Sequence, residues 1–241
     1  MESNRVLLVV DGVRMNNAIY RKGHLQNSIT VAPNLLDKVE VVFGPSSVIY
    51  GSDALGGVVH YYTKTPKISN EKEVKSQFFS RYSSANQEIT SVVSAELRFK
   101  KWASFTSISY SDFGDLQSGE NRRHGFKDWG KVFFYSENDL EGNYAANPTE
   151  NSNPSLLRNS GFNQTDVLQK FFVPLSKNTD LKLNFQYSTS SDIPRFDRLT
   201  ELNDITDKSS LKFAEWFYGP QNRFLTSSQL SINPNKWWLE S

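Results

Sequence analysis

The 241 residues carry 27 basic and 26 acidic side chains, a net charge of +1, with 37% hydrophobic and 13% aromatic residues. That balance leaves no basic footprint for nucleic acid, and the lack of cysteine removes disulfides, thiolate metal sites and a cysteine nucleophile. No run approaches the roughly 18 apolar residues of a membrane-spanning helix, and no basic-then-apolar leader opens the chain.

Residues 5 to about 66 read as a small α/β module. VLLVV, from Val6, is a buried-strand pattern that begins almost at the first residue. Domains rarely open on a central strand, so the natural start is expected upstream. Asp11-Gly12 ends the strand in a tight turn, with Asp11 suited to accept from backbone donors. Residues 13–38 are mixed and loop-like. LLDKVEVVFG reads as a helical turn feeding a second strand. Pro45 follows Gly44 and suits the first position of a short helix, and Gly51 suits its left-handed end. Gly56 and Gly57 precede a third strand, VVHYYTK, which the prolyl stretch Thr65-Pro66-Lys67 closes.

From residue 73 the pattern changes. LKLNFQYS sets Leu181, Leu183, Phe185 and Tyr187 against Lys182, Asn184, Gln186 and Ser188. VVSAELRFK repeats this, with Val93, Ala95, Leu97 and Phe99 on one face. Such alternation predicts six antiparallel strands near 74–84, 89–99, 102–112, 162–173, 180–190 and 223–233. The long connections, about 113–161 and 191–222, fall at one end and the tight turns at the other. Loops of that length are uncommon in compact domains. Long loops opposite short turns is the pattern of an outer-membrane barrel, apolar outward and polar inward. Trp102, Tyr110, Phe113, Trp237 and Trp238 suit interfacial girdles. A soluble antiparallel sheet with two insertions, structural or carbohydrate-binding, is the competing reading. No nucleophile elbow, phosphate loop or HExxH appears, and GSDALGG lacks the GxGxxG register, so no enzyme is expected.

The stretch VEVVFGPSSVIYGSDALGGVVHYYTK, Val39 to Lys64, resembles the C-terminal signature of the plug domain of TonB-dependent outer-membrane receptors. The matching pieces are Val39-Glu40-Val41, Gly44-Pro45, Tyr50-Gly51, Gly56-Gly57-Val58 and Thr63-Lys64. The earlier VLLVVDGV resembles the plug strand ending at Asp11-Gly12-Val13. Phe43 and His60-Tyr61-Tyr62 depart from the residues usual there. The resemblance implies a partial plug at residues 1–66. Residues 67–241 would then be the first strands of a larger barrel, with about six of roughly 22 present. It also implies the outer membrane of a Gram-negative bacterium, with outer-membrane lipid around the wall and energy delivered through the TonB protein. The ligand would be a scarce nutrient, foremost a ferric siderophore or haem; no cofactor and no resident metal are implied. No TonB-contacting box is found, and a six-strand piece is expected neither to close nor to transport alone.

The same resemblance assigns site candidates. Residues 14–28 would form apical plug loops facing the ligand, which singles out Arg14, Tyr20, Arg21 and His24. Arginine suits anionic groups and histidine suits haem iron, although each histidine also has a plain packing or polar reading. Arg122, Arg123, His124 and Trp129 in the first long loop, and Arg195 in the second, are further candidates. Asp197 and Arg198 beside Arg195 equally make a loop-ordering ion-pair set. Loop aromatics such as Trp129 and Phe133 either stack on flat ligands or pack on one another. Glu40, by resemblance, would pair with wall arginines. The glycines of the quoted stretch read as architecture rather than as a ligand cradle.

Overall fold

The computed structural model describes residues 6–15, 30–44, 50, 51, 54, 56–121, 123, 125–138, 143 and 147–233. Two sheets carry the fold. The first uses β1 (Val6–Val10), β2 (Val13–Arg14), β3 (Leu36–Phe43) and β4 (Gly57–Thr63) in the order β2-β1-β4-β3. β1 and β4 run parallel, Val6 opposite Gly57, while β3 pairs antiparallel with β4, Phe43 opposite Gly57. A 3-10 turn, Pro33–Leu35, leads into β3. β4 is therefore central and reads as a nearly continuous apolar run, as a strand flanked on both sides should.

Gly57 is where this sheet demands glycine. Its φ is +138°, and a Cβ there would stand 2.5 Å from the Val42 carbonyl oxygen. The chain turns into β4 hard against β3, and only a residue without a side chain fits. Gly44 and Gly51 also have positive φ; the expected helix between them, including Pro45, lies outside the described residues.

The second sheet has six long antiparallel strands. In chain order these are β5 (Glu73–Ser83), β6 (Glu88–Arg98) and β7 (Ala103–Phe113), then β12 (Phe162–Pro174), β13 (Thr179–Ser190) and β16 (Asn222–Ile232). The short pairs β8 (Leu116–Gln117) with β11 (Leu156–Leu157), and β9 (Phe134–Tyr135) with β10 (Thr149–Glu150), order the first long connection. β14 (Ile193–Pro194) pairs with β15 (Phe217–Tyr218) in the second, beside a single helical turn, α1 (Phe196–Leu199). Among the described residues the order β16-β13-β12-β7-β6-β5 places β16 and β5 at the edges of this sheet.

The faces of this sheet are inverted relative to a soluble protein. Thr90 is 0% exposed, Asp166 1% and Gln186 2%, whereas Phe78 is 70% and Phe224 69%. Polar residues predominate on the buried face and large apolar ones cover the exposed face, as in a barrel wall whose outer face meets lipid. Val93, Ile108, Tyr110, Phe185, Tyr187, Leu230 and Ile232 continue the outer band. Removing each of these from water stabilises by about 1.5–3 kcal/mol at full burial. A folded chain in water would forgo that for the whole band. The chain is thus a plug sheet followed by antiparallel transmembrane barrel strands that form part of a barrel.

The plug sheet sits against the buried face. Two small apolar contacts join them: Ala32 and Leu35 with Phe105 and Leu168, and Val10 and Val31 with Leu225. A third cluster, Leu7, Val9, Ala54 and Val58 with Tyr50, lies within the plug. The rest of the junction is polar.

Candidate functional site at the plug–wall interface

The DG turn after β1 supplies the centre of that junction. Asp11 adopts φ +48° and Gly12 +86°, the left-handed conformation that Asp and Gly tolerate best. The turn is held from behind: Asp11 N–H donates to the Tyr61 carbonyl at 2.9 Å, and Gly12 N–H donates to His60 Nε2 at 3.0 Å. Its carboxylate is then aimed across the interface. Within the plug it accepts from the Thr63 N–H at 2.9 Å and the Thr63 hydroxyl at 2.6 Å. From the wall it accepts from Asn184 at 3.1 Å and Gln186 at 2.9 Å, and Lys170 Nζ stands 3.1 Å from Oδ2. Lys170 in turn donates to the Thr63 carbonyl at 3.1 Å and to the Thr65 hydroxyl at 3.3 Å. Both charges are nearly out of solvent, at 7% side-chain exposure for Lys170 and 13% for Asp11.

A second tie lies toward the long loops. Arg223 on β16 donates to the Thr30 carbonyl at 2.8 Å and to Gln186 Oε1 at 3.1 Å. Buried Asp166 accepts from Gln164 at 3.0 Å on the same wall. Inward-facing residues of β12, β13 and β16 therefore grip the plug by charged and amide groups. Hydrogen bonds to charged groups are the stronger kind, about 1.5–3 kcal/mol each.

Glu40, which the resemblance pairs with wall arginines, has its partners among the described residues inside the plug. It lies on the exposed side of β3 and accepts from Lys38 at 2.5 Å and from the Tyr62 hydroxyl at 2.8 Å, both inside the plug. The Lys38 bond, then the Tyr62 bond, hold its carboxyl below the ordinary range. The hydrogen bond to Glu40, then burial, pushes the Tyr62 phenol up to about 12. Glu40 stands opposite His60 on β3, at the edge of the described plug sheet, where Lys38 and Tyr62 lie within reach of its carboxylate. His60, stacked on Tyr62 at 3.9 Å, is kept neutral chiefly by burial, which lowers its pKa against the opposing pull of Asp11 and Glu40.

The other sequence candidates fall in different places. Arg14 is exposed and packs its guanidinium by Gly51. Tyr20, Arg21, His24, Arg122 and His124 lie outside the described residues. Arg123 and Trp129 are exposed on the first long loop. Arg195 is engaged within the second: it bonds Asp197 at 3.0 Å and lies over the rings of Trp216 and Tyr218 at 5.6 and 5.3 Å. Arg198 ion-pairs with Glu201 at 2.7 Å, and Lys212 closes on the same carboxylate. The two loops are joined by Lys208, which donates to Asp128 at 2.9 Å and sits 4.1 Å from the centre of the Phe133 ring. Among the described residues no group of three or more His, Asp or Glu could hold a metal.

Lys170 and Arg223 are absent from the sequence-derived set, Thr63 enters it only within the Thr63-Lys64 motif, and Asn184 and Gln186 only as one face of a strand. The signal for the amides was present: the polar face of an inside-out strand is the face that meets the plug.

A sheet plugged by polar contacts into an inward-polar, outward-apolar wall is the architecture of a plugged outer-membrane barrel. Residues 1–58 match the TonB-dependent Receptor Plug Domain. Over 58 residues the chain is 50% identical to a hemin receptor of Yersinia enterocolitica, covering 24% of this chain and 8% of that protein. Over 67 residues it is 45% identical to the vitamin B12 transporter BtuB of Vibrio vulnificus, covering 28% and 10%. Among solved structures, the FrpB iron transporter of Neisseria meningitidis aligns over 94% of this chain and 30% of its own, with TM-score 0.57 and 16% identity. The ferric enterobactin receptor PfeA of Pseudomonas aeruginosa (a Q482A mutant) aligns over 96% and 31%, with TM-score 0.56 and 15% identity. The chain thus spans about a tenth or less of those curated relatives and under a third of those solved chains. Residues 1–58 carry the plug signature, and the chain shares the fold of those solved structures.

Proposed function

We propose that this chain is the plug-and-first-strands portion of an outer-membrane receptor that imports a scarce iron source, haem or a ferric siderophore, with energy from TonB. The observation that carries the reading is the plug segment at residues 1–58 seated on an inward-polar wall through Asp11. A wall-bound plug closes the lumen at rest and must shift for a nutrient to pass, which is work that calls for an energy supply. Hemin receptors and iron transporters recur among the relatives and the structural neighbours, which favours iron over vitamin B12. The long loops, about 113–161 and 191–222, would face outward and meet the ligand, and residues 1–66 and 67–241 would be the plug and wall portions.

In this reading Arg14, Tyr20, Arg21 and His24 on the plug, with Arg122, Arg123, His124 and Trp129 on the first loop, contact the ligand. Arg195 holds the second loop in shape, since Asp197, Trp216 and Tyr218 already occupy it. The inverted faces speak against a soluble carbohydrate-binding sheet. The test is binding of haem and of ferric siderophores to the detergent-purified receptor, followed by absorbance. Saturable binding of one of them, weakened by Trp129→Ala but not by Arg195→Lys, is the expected result. Binding of sugars with none of iron ligands would overturn it.

A further inference from the structure

The outward side of the wall carries a repeated pattern at its short-turn end. β6 and β7 are joined by Lys100 and Lys101, and the Phe99 N–H closes the turn by donating to the Trp102 carbonyl at 2.9 Å. The Phe99 and Trp102 rings stack at 4.5 Å, and Lys72 Nζ lies 5.9 Å from the centre of the Phe99 ring. Exposed Val74, which shares the outer face of β5 with Phe78, stands two residues from Lys72. Exposed Leu175 stands two residues from Lys177 in the turn between β12 and β13. Each lysine thus has an apolar outward neighbour. The β6–β7 hairpin has β5 on one side and β12 beyond β7 on the other, so its outward surroundings are all described.

The turn itself does not call for lysine. Two-residue hairpin turns favour Asn, Asp and Gly, and two adjacent ammonium groups repel each other. Lys72, Lys100, Lys101 and Lys177 are all exposed, and among the described residues none of them forms an ion pair. The acids of this end are mostly placed elsewhere. Glu73 faces Lys75 at 3.3 Å and Arg98 at 3.8 Å, and Glu96 holds Arg98 at 2.7 Å. Asp180 shares the inward face of β13 with Lys182 and Asn184, and Asp37 lies on the plug, toward Lys170. Glu71, next to Lys72 in the chain, is left against four lysines. At the long-loop end the outward positions of the same strands hold Tyr82, Asp112, Asn163 and Asn222, and no lysine.

We propose that this rim binds the headgroup of an anionic phospholipid in the leaflet at the short-turn end. Lys100 and Lys101 hold the phosphate, and the Phe99–Trp102 pair lies along the glycerol and the upper acyl chains. Aromatic rings sit at the headgroup level of a membrane protein. Lysine stems run along apolar surface while their ammonium groups reach water, which puts these lysines just past the rings, at the depth of lipid phosphates. A zwitterionic headgroup brings its own ammonium to its phosphate; a net anionic one does not, and clustered lysines select it. The exposed apolar face that continues from Val74, Trp102 and Leu175 favours a lipid over a soluble anion. The proposal rests on the receptor reading, since a leaflet meets this rim only if the strands cross a membrane.

The test places the complete receptor in phosphatidylcholine vesicles that carry a minor fraction of acyl-brominated phosphatidylglycerol or of equally brominated phosphatidylcholine. Bromine quenches tryptophan on contact, and the difference between wild type and Trp102→Phe isolates the emission of Trp102. Trp102 should sense phosphatidylglycerol enriched at least about tenfold over phosphatidylcholine. Lys100→Gln with Lys101→Gln should erase the enrichment, Lys100→Arg with Lys101→Arg should keep it, and high salt should weaken it. Equal quenching by the two lipids would overturn the site and leave the lysines to a soluble acidic partner. An enrichment that survives the glutamine pair would overturn it as well. Loss of the enrichment to inorganic phosphate, at an ionic strength matched with chloride, would overturn its assignment to a lipid. Heat-modifiable mobility of the same preparation reports insertion. A protein that does not insert refutes the receptor reading and this site with it, whereas equal quenching in an inserted protein refutes the site alone.

Discussion

Asp11 concentrates the account into one side chain. Its turn is fixed by His60 and Tyr61, and its carboxylate joins Thr63 of the plug to Lys170, Asn184 and Gln186 of the wall. Asp11→Asn leaves Lys170 buried without its charge partner. The expected loss is about 3 kcal/mol, the low end for breaking a buried pair. Lys170→Met in the Asp11→Asn background should recover about 1–2 kcal/mol of that, the coupling expected between neighbours. Denaturant unfolding of the purified receptor in detergent measures both; additive losses would remove the latch from the account.

His60 gives the same turn a pH dependence. Burial lowers its pKa below the ordinary 6.5, so the folded state favours the neutral ring. The stabilisation is fully present above about pH 6.5 and is lost as pH falls through the lower folded value. Protonation would also place a hydrogen on Nε2, the atom that accepts from Gly12. His60→Gln keeps an acceptor oxygen and cannot titrate. Its thermal midpoint is expected to fall less than that of wild type between about pH 7 and about pH 5. Parallel curves for the two proteins would remove His60 from the acid response.

At the scale of elements, the six wall strands were legible to within a residue or so. The sequence pattern placed strands at 162–173 and 180–190, and the structure has Phe162–Pro174 and Thr179–Ser190. Period-two alternation over eleven residues or more leaves little freedom in register, since a one-residue slip exchanges the two faces. The two-residue strands β8 to β11, β14 and β15 were not legible, because so short a pairing has no period. LLDKVEVVFG was read as a helical turn before a strand; the turn is Pro33–Leu35 and the strand already begins at Leu36. The partner of Asp11 was hidden for another reason: Gln186 lies 175 residues away, and only tertiary structure joins them. The face assignment itself is testable. Ile108→Arg, on the outer face of β7, should destabilise the membrane-embedded receptor by about 2–4 kcal/mol. Ser227→Asn, on the inward face of β16, should stay within about 0.5 kcal/mol. The opposite ranking in detergent unfolding would mean that the faces are reversed.

At the scale of the whole molecule, the plug, the inverted wall and the loops joined by Lys208 describe one device. The plug sheet rests on the polar face of a partial wall, with the long loops at one end of the strands and large apolar residues on the other face. Its central claim is energised import of an iron source. The most direct measurement is growth and iron accumulation of iron-starved cells carrying the complete receptor gene, supplied with haem or a ferric siderophore, with TonB present and absent. The account predicts uptake of one of these sources that requires both the receptor and TonB. Uptake unchanged by loss of the receptor, or equal with and without TonB, would contradict it.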